Sequence, residues 1–515
     1  MPAKKKTTSA VVSSKLETPE AAASPEVAPV GSPPGLGEPG GDTEQISAES
    51  AMAATPPPPS VAVVVSHKEQ KLTEWMIAHP AEVIRQRQEM LTTLAKRRCT
   101  YGRDGGTMPV TLTPLFLSQA ALNRIKTVGE TFDRIIDKVV NGYRDDPHVR
   151  AHFPYTEIPK EWIDWDPGYS KPTVLNRHDA LFDGKNLKFI EFNTDNPGGR
   201  AWCDTLEEIF RSYPMYQDLI ASYSKPGDRA MLKAGLDAML HCYKDAGGTK
   251  DKPRIGIGSF KEYLPGSDME ITRDYLVEHG YDAHFVDPRD LEYRDGGLWS
   301  NRVRFDLVNL ALRFLFFKRF PHEMKDFLDA IRDRAIVCLN PWRAIIGAQK
   351  EAMSFISNPV NHHYFTEEEV KCINDHLPWT RKLDETITMS PEGSDISLAE
   401  YMIKNRERLV LKPGWGAGGH DVKVGRTTDT AEWQAYVRDT MGCSWWVVQE
   451  AVHVPEYEMP VLKGGKVVLE KKYLNINPYI FDGKYAGCLG RVSASNVVNV
   501  SSGGGIIPIF PLKED

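Results

Sequence analysis

The chain has 515 residues, 41% of them hydrophobic, which suffices for two or three subdomains that each bury a core. Its net charge of −7 and pI near 6.1 argue against nucleic-acid binding as its main role, although a local basic pocket is compatible with them. Seven scattered cysteines without a CxxC pair, no membrane-length apolar run and no signal-peptide core lead us to expect a cytoplasmic protein that binds neither nucleic acid nor membrane.

The first part of the chain divides into a low-complexity tail and a helical segment. Residues 1–66 are rich in Ala, Pro, Ser, Gly and Thr, and we predict that they are disordered, with structure starting near Leu72. From residue 117 the pattern predicts a helix capped by Ser118. Its apolar stripe consists of Leu122, Ile125, Phe132, Ile136 and Val139. His148 and His152 follow in a predicted loop, where a histidine is more often structural or exposed than a ligand.

Residues 173–200 predict two short strands joined by a turn at residues 183–185. Pairing of residues whose numbers sum to 370 would place Asp179 opposite Glu191 and Arg177 opposite Asn193, all on one face. Two opposed carboxylates repel each other unless a cation lies between them, and an Asp, Glu and Asn oxygen set suits Mg²⁺. The planar fork of Arg177 suits a phosphate oxygen. The alternative is an exposed hairpin edge with solvated charges.

Residues 253–315 predict a small parallel α/β unit. The strand RIGIGSF, the helix MEITRDYLVEHG and the strand DAHFVDP have the spacing of a right-handed crossover. Gly256 and Gly258 do not complete a GxGxxG fingerprint, so we reject a dinucleotide-binding fold. Residues 335–356 predict a further strand, a turn and a helix that carries Lys350.

A glycine-rich loop joins two predicted strands in RLVLKPGWGAGGHDVKVG. Its Gly414, Gly416, Gly418 and Gly419 neither open a helix nor precede a Lys-Ser/Thr pair, so they form neither a dinucleotide fingerprint nor a Walker A loop. The pattern favours a flap over triphosphates, in which backbone N–H groups approach phosphate oxygens and Lys412 adds a point charge. The alternative is an ordinary glycine-rich turn.

Two further observations concern the nucleotide. A protein kinase is excluded, because no HRD catalytic loop followed by DFG comes after the glycine loop. The strand WWVVQE could present Gln449, Glu450 and nearby backbone to an adenine, although a buried strand with a polar end explains the same residues.

Together these segments resemble the circularly permuted branch of the ATP-grasp superfamily that includes glutathionylspermidine synthetase. The matching pieces are NRHD with EFNTDNPGG, AQKEAM, LVLKPGWGAGG and VVQEAV, and with the glycine run near the C-terminus they span about Asn176 to Gly505. In ordinary ATP-grasp enzymes the lysines and flap precede the metal-binding strands, whereas here they follow them. The chain departs from bifunctional glutathionylspermidine enzymes because low-complexity sequence stands where their amidase domain would lie.

The resemblance implies a Mg²⁺ site with two ions and a phosphate clamp. Asp179, Glu191 and Asn193 would hold the ions that bridge the β- and γ-phosphates of ATP. Arg177 would clamp the γ-phosphate or an acyl phosphate. Arg491, in GRVSASNVVNVSSGGG, would be a second clamp that closes with the residue 501–505 loop, although a structural turn with a surface arginine is an alternative.

The resemblance also implies the remaining ATP contacts. Lys350 and Lys412 would contact the α- and β-phosphates, with residues 414–419 as a lid. Gln449 and Glu450 would lie at the adenine–ribose edge.

The activity implied is an ATP- and Mg²⁺-dependent carboxylate–amine ligation through an acyl phosphate. Its partners would be a small or peptide carboxylate and an amine, and the protein could be a homo-oligomer. No Ser-His-Asp or Cys-His set is evident in the sequence, in agreement with a reaction that needs orientation and charge neutralisation only. Two alternatives stay open: a phosphotransferase acting on a small molecule, and a catalytically silent ATP-binding scaffold.

We therefore expect an α/β (α+β) protein with a permuted ATP-grasp fold and a small parallel α/β subdomain. The expected division is a tail (1–66), a helical part (67–172), a metal-binding part (173–250), the small subdomain (251–335) and a nucleotide-binding part with the lid (336–515).

Overall fold

A computed structural model describes residues 67–101, 106–183, 185–220, 230–263, 267–311, 313–415, 421–494, 498 and 504–511. The predicted tail, the lid glycines Gly416, Gly418 and Gly419, and residues 501–503 lie outside these ranges. Within them, no helix combines the length and the hydropathy needed to cross a membrane.

The helices of the described chain are α1 (His67–Ala78), α2 (Pro80–Lys96), α3 (Gln119–Asp145), α4 (Pro147–His152), α5 (Lys160–Asp164), α6 (Arg200–Ser212), α7 (Pro214–Ile220), α8 (Ala230–Asp245), α9 (Ser267–Glu278), α10 (Phe314–Phe317), α11 (Lys325–Arg332), α12 (Ile345–Ala348), α13 (Lys350–Ser357), α14 (Glu367–His376), α15 (Leu398–Lys404) and α16 (Thr430–Thr440).

The strands are β1 (Thr100–Tyr101), β2 (Gly106–Thr107), β3 (Leu115–Leu117), β4 (Leu175–Phe182), β5 (Leu187–Asn193), β6 (Ile255–Gly258), β7 (Ala283–Val286), β8 (Glu292–Arg294), β9 (Gly297–Ser300), β10 (Val303–Phe305), β11 (Leu307–Leu310), β12 (Val337–Leu339), β13 (Thr380–Lys382), β14 (Ile387–Met389), β15 (Asp395–Ser397), β16 (Leu409–Pro413), β17 (Lys423–Val424), β18 (Trp446–Glu450), β19 (Glu456–Lys463), β20 (Lys466–Phe481), β21 (Lys484–Ser493), β22 (Gly505–Ile507) and β23 (Ile509–Pro511). The mixed α/β class predicted from the sequence is confirmed.

The largest sheet is antiparallel and carries the β4–β5 hairpin at its edge. Its order is β22-β21-β20-β4-β5, and β19 pairs with the first half of β20. Asp183 Oδ1 accepts hydrogen bonds from the backbone N–H groups of Lys185 and Asn186 at 2.9 and 2.6 Å, which fixes the hairpin turn.

The pairing of the hairpin agrees with the predicted register at the predicted site residues. Arg177 pairs with Asn193 and Asp179 with Glu191, as expected. Beyond Asp179 the register shifts, because Ile190 is an extra residue on β5 and forms a β-bulge.

Helix α3 covers the back of this hairpin. The Ser118 hydroxyl caps it by accepting a hydrogen bond from the backbone N–H of Ala121, as predicted. Phe132 packs against Phe189 and Phe192, with ring centroids 4.8 and 5.8 Å apart. Because these apolar side chains bury one face of β5, its polar side chains are left on the opposite face.

Two smaller sheets flank the hairpin. The strands in the order β12-β11-β6-β7 are all parallel, with α9 connecting β6 to β7. Strand β12, which the expected division assigned to the nucleotide-binding part, pairs here with β11. An antiparallel sheet in the order β13-β18-β16-β17 carries Lys412 and Gln449.

Two local expectations were wrong. Helix α1 starts at His67, slightly before the predicted start near Leu72. His148 and His152 lie in α4 instead of a loop, because Asp146 caps a helix there and Pro147 occupies its first turn. The ring of His152 is within hydrogen-bonding distance of the Ser354 hydroxyl and the Glu351 carbonyl, so this histidine is structural.

Candidate functional site

Asp179 lies between two guanidinium groups on the polar face of the hairpin. Arg491 approaches its Oδ2 at 2.5 Å, and Arg177 Nε approaches its Oδ1 at 3.1 Å. Only 6% of Asp179 is exposed, and burial pushes its pKa upward. Arg491 and Arg177 outweigh burial, so the pKa of Asp179 lies below its ordinary value and the group is a carboxylate at neutral pH.

Both arginines are held by further contacts. Arg177 donates to the carbonyl of Gly198 at 3.0 Å, and the hydroxyl of Tyr479 donates to the same carbonyl at 2.7 Å. Arg491 Nε donates to Asn475 Oδ1 at 3.2 Å. Their orientation toward Asp179 is therefore fixed by the large sheet and the loop after β5.

Glu191 lies opposite Asp179 and forms an ion pair with Lys350, the first residue of α13, at 3.1 Å. Asn193 Nδ2 donates to Asp179 Oδ1 at 3.2 Å. The predicted metal residues are thus together on one face, and their oxygens form the donor set that Mg²⁺ prefers. In the described part of the chain, no three His, Cys, Asp or Glu side chains are placed to hold a metal ion, so a metal here would use two carboxylates and an amide.

Lys412 reaches across from the small antiparallel sheet. Its Nζ donates to Gln449 Oε1 at 2.6 Å and to the carbonyl of Ile190 at 3.2 Å, and Gln449 Nε2 donates to Thr380 Oγ1 at 3.0 Å. Burial and the nearby charge of Lys350 lower the pKa of Lys412 to about 8.

Gly414 lies at the start of the glycine loop, in contact with α13. Its carbonyl accepts a hydrogen bond from the backbone N–H of Lys350 at 2.8 Å. A Cβ at this position would lie 2.2 Å from a carboxylate oxygen of Glu351, so only glycine fits without displacement. Glu351 is buried, and burial raises its pKa to about 7.

A cavity of about 650 Å³ lies further along the hairpin, toward its turn. It lies between the hairpin and the small antiparallel sheet, with Leu181 and Lys188 on one side and Trp379 and Glu450 on the other. Glu450 pairs with Arg408 at 3.2 Å and lines the cavity. Gln449 is 2% exposed and is not among its lining residues, because successive side chains of β18 point to opposite faces.

Sequence reasoning missed four residues beside this site. Arg313 donates to Asp195 at 2.8 Å. Burial lowers the pKa of Arg313, but Asp195, Glu157 and Glu191 outweigh burial and raise that pKa above its ordinary value. Asp195 could have been noticed, since it directly follows the Glu-x-Asn segment. Arg313 and Glu157 come from distant segments without any motif. The fourth is Lys188, on β5.

Arg177, Arg491, Lys350 and Lys412 outnumber the two carboxylates of the predicted metal set. This arrangement suits an extended polyanion attached to a larger apolar group.

No family model and no curated protein matches this sequence. Among solved structures, a glutathione synthetase-like effector from Globodera pallida aligns with a TM-score of 0.53 and 12% identity, covering 84% of this chain and 97% of that one. This likeness shows a shared fold.

Two further structures align with TM-scores too low to support an argument. One, named as a gamma-glutamylcysteine synthetase from Methylobacillus flagellatus, has a TM-score of 0.37 and 12% identity, covering 73% of this chain and 87% of that one. The other, D-alanyl-alanine synthetase A from Vibrio cholerae, has a TM-score of 0.23 and 16% identity, covering 44% and 68%.

Proposed function

We propose that this chain is an ATP- and Mg²⁺-dependent carboxylate–amine ligase with a circularly permuted ATP-grasp fold. The observation that carries the proposal is the convergence of Arg177, Asp179, Glu191, Lys350 and Lys412 at one face of the β4–β5 hairpin, in a fold shared with a glutathione synthetase-like protein. The chain order, with the acidic hairpin before both lysines, supports the permuted arrangement.

The cavity is the proposed position of the nucleoside. Trp379 and Leu181 offer apolar surface to a purine, and Glu450 offers a carboxylate to the ribose hydroxyls. The phosphates would then extend along the hairpin toward Lys412 and Lys350. Gln449 orients Lys412 and does not contact the nucleotide.

Asp179, Glu191 and Asn193 would hold Mg²⁺, which would neutralise part of the charge of the ATP phosphates. The donor set fits, because it consists of oxygens on one face of a hairpin whose other face is packed against α3.

In the proposed reaction, a substrate carboxylate oxygen attacks the γ-phosphorus and ADP leaves, which gives an acyl phosphate. The amine then attacks the acyl carbon, phosphate leaves, and the amine loses one proton as the amide forms. Arg177 and Arg491 would bind the transferred phosphoryl group and stabilise its developing charge. No protein nucleophile is needed, since the protein's work is to orient both substrates and to exclude water.

Two rival activities use the same ATP site. A phosphotransferase would move the γ-phosphoryl group to a hydroxyl, and a silent scaffold would bind ATP without turnover. Product analysis separates them: the ligase yields ADP, free phosphate and an amide, the phosphotransferase yields ADP and a phosphorylated substrate, and the scaffold yields neither.

The experiment is a screen of ADP release against pools of amino acids, short peptides and polyamines, with mass spectrometry of the products. Glu191→Ala should abolish turnover and leave the protein folded, whereas Glu458→Ala, an exposed glutamate on β19, should be active. Near wild-type amide formation by Glu191→Ala would refute the metal assignment. Unchanged ATP affinity in Lys412→Ala, measured by calorimetry, would contradict the assigned phosphate path.

A further inference from the structure

We infer that Lys188 is a third lysine of the nucleotide site and that its ammonium binds the α-phosphate. The inference rests on the proposed function and adds a residue that the resemblance does not supply.

The β-bulge at Ile190 determines which way Lys188 faces. Residues three apart on a regular strand point to opposite faces, but the extra residue brings Lys188 to the same face as Glu191. The register agrees, since Lys188 pairs with Leu181, two residues from Asp179 on β4, and both side chains of this pair line the cavity.

The ammonium of Lys188 differs from those of the other two lysines. Lys350 has a carboxylate at 3.1 Å and Lys412 has an amide oxygen at 2.6 Å. In the part of the chain that the structure describes, Lys188 has neither an ion pair nor a hydrogen bond. Its pKa is lowered by burial, against the opposing influence of Glu450 and Asp375. A partly desolvated ammonium without a partner is unfavourable, and an anion in the cavity would relieve that cost.

The position of Lys188 along β5 determines which phosphate of ATP its ammonium can reach. Lys188 is three residues from Glu191, about 10 Å of extended strand before the bulge shortens the path. Glu191 lies at the proposed metal end and Glu450 at the proposed ribose end of the site. The phosphate attached to the ribose is therefore the one within reach of Lys188, while the terminal phosphates lie nearer Lys350.

The test compares nucleotides that differ only in their phosphates. Calorimetry on the full chain would measure the affinities of adenosine, AMP, ADP and Mg-ATP for wild type, Lys188→Met and Lys188→Arg. The control is Lys185→Met, which removes an exposed lysine from the same hairpin turn. We expect Lys188→Met to weaken AMP, ADP and Mg-ATP by a similar factor, about ten- to a hundredfold, which is typical of a lost charged hydrogen bond. Adenosine binding should not change, Lys188→Arg should retain most of the affinity, and Lys185→Met should have no effect.

The possible failures are distinguishable. Unchanged AMP, ADP and Mg-ATP affinity in Lys188→Met would overturn the role of Lys188 alone. Weaker Mg-ATP with unchanged AMP would place Lys188 on the terminal phosphates and overturn the assignment to the α-phosphate. An equal loss for adenosine, at an unchanged unfolding temperature, would place it on the nucleoside and overturn it as well. If wild type bound no nucleotide, the proposed function would fail together with this inference.

Discussion

The charge balance around Asp179 predicts losses of stability of different size for two isosteric or near-isosteric substitutions. One carboxylate lies between the guanidiniums of Arg177 and Arg491, so the group of three carries one net positive charge. Asp179→Asn would leave two largely buried cations facing each other, and removing one partner of a buried pair typically costs about 3–5 kcal/mol. Arg491→Met would leave the balanced pair of Arg177 and Asp179. Asn475, the other acceptor of Arg491, keeps a hydrogen bond from Asn477.

We therefore expect Arg491→Met to cost about 1–2 kcal/mol of stability and Asp179→Asn at least about 2 kcal/mol more. Urea denaturation without nucleotide measures this difference, with Asp237→Asn, an exposed aspartate paired with Lys233, as a control expected to change stability by less than about 0.5 kcal/mol. Turnover should fall in both site variants, by about a hundredfold or more, because Arg491→Met loses a cation that stabilises the transferred charge and Asp179→Asn loses a proposed metal ligand. An Asp179→Asn variant as stable as wild type, or more stable than Arg491→Met, would refute the charge balance.

Three further predictions test groups around the site. Burial raises the pKa of Glu351 from 4.5 to about 7, so its ionisation destabilises the fold. As the pH of denaturation rises from 4.5 through 7, the free energy of unfolding of Glu351→Gln should therefore increase relative to wild type by up to about 3 kcal/mol. A difference that stays constant with pH would contradict this. Lys171→Met removes the ammonium that two carboxylates of α3 share, and it should lower the free energy of unfolding in chemical denaturation by about 3–5 kcal/mol. The control Lys233→Met, at an exposed ion pair, should lower it by less than about 0.5 kcal/mol. Gln449→Leu removes the acceptor at 2.6 Å from Lys412 and should raise the KM for ATP about tenfold in the ADP-release assay, and an unchanged KM would count against its positioning role.

The register of the hairpin was predictable because local chemistry determines it. The turn at residues 183–185 and the alternation of Arg177, Asp179, Glu191 and Asn193 are enough to place opposed carboxylates on one face. The bulge was not predictable, since Ile190 carries no signal that distinguishes it from an ordinary strand residue. The pairing near the turn is therefore one residue away from the expected one, and for that reason Lys188 was overlooked.

Contact with the adenine–ribose edge was also predicted for two adjacent strand residues, Gln449 and Glu450. Gln449 and Glu450 are neighbours on β18, so strand geometry allows only one of them to face a given cavity. The structure puts Glu450 at the cavity and Gln449 beneath Lys412. Arg313 is a different case: its pairing with Asp195 depends on how the small parallel sheet sits beside the hairpin, and no spacing in the sequence encodes that contact.

The imbalance of charge at the site is itself an argument for a polyphosphate ligand. Arg177, Arg491, Lys350 and Lys412 converge on a region where the proposed ligand set supplies two carboxylates, one of them Asp179. Packing cations together opposes folding, and a protein gains nothing from it unless a bound anion offsets the repulsion. A neutral nucleoside would fill the cavity without relieving that repulsion. A triphosphate relieves it along the whole row of cations, so the protein should be stabilised far more by ATP than by adenosine at the same free ligand concentration. Equal stabilisation in thermal unfolding at that concentration would mean that these cations serve the fold and not a ligand.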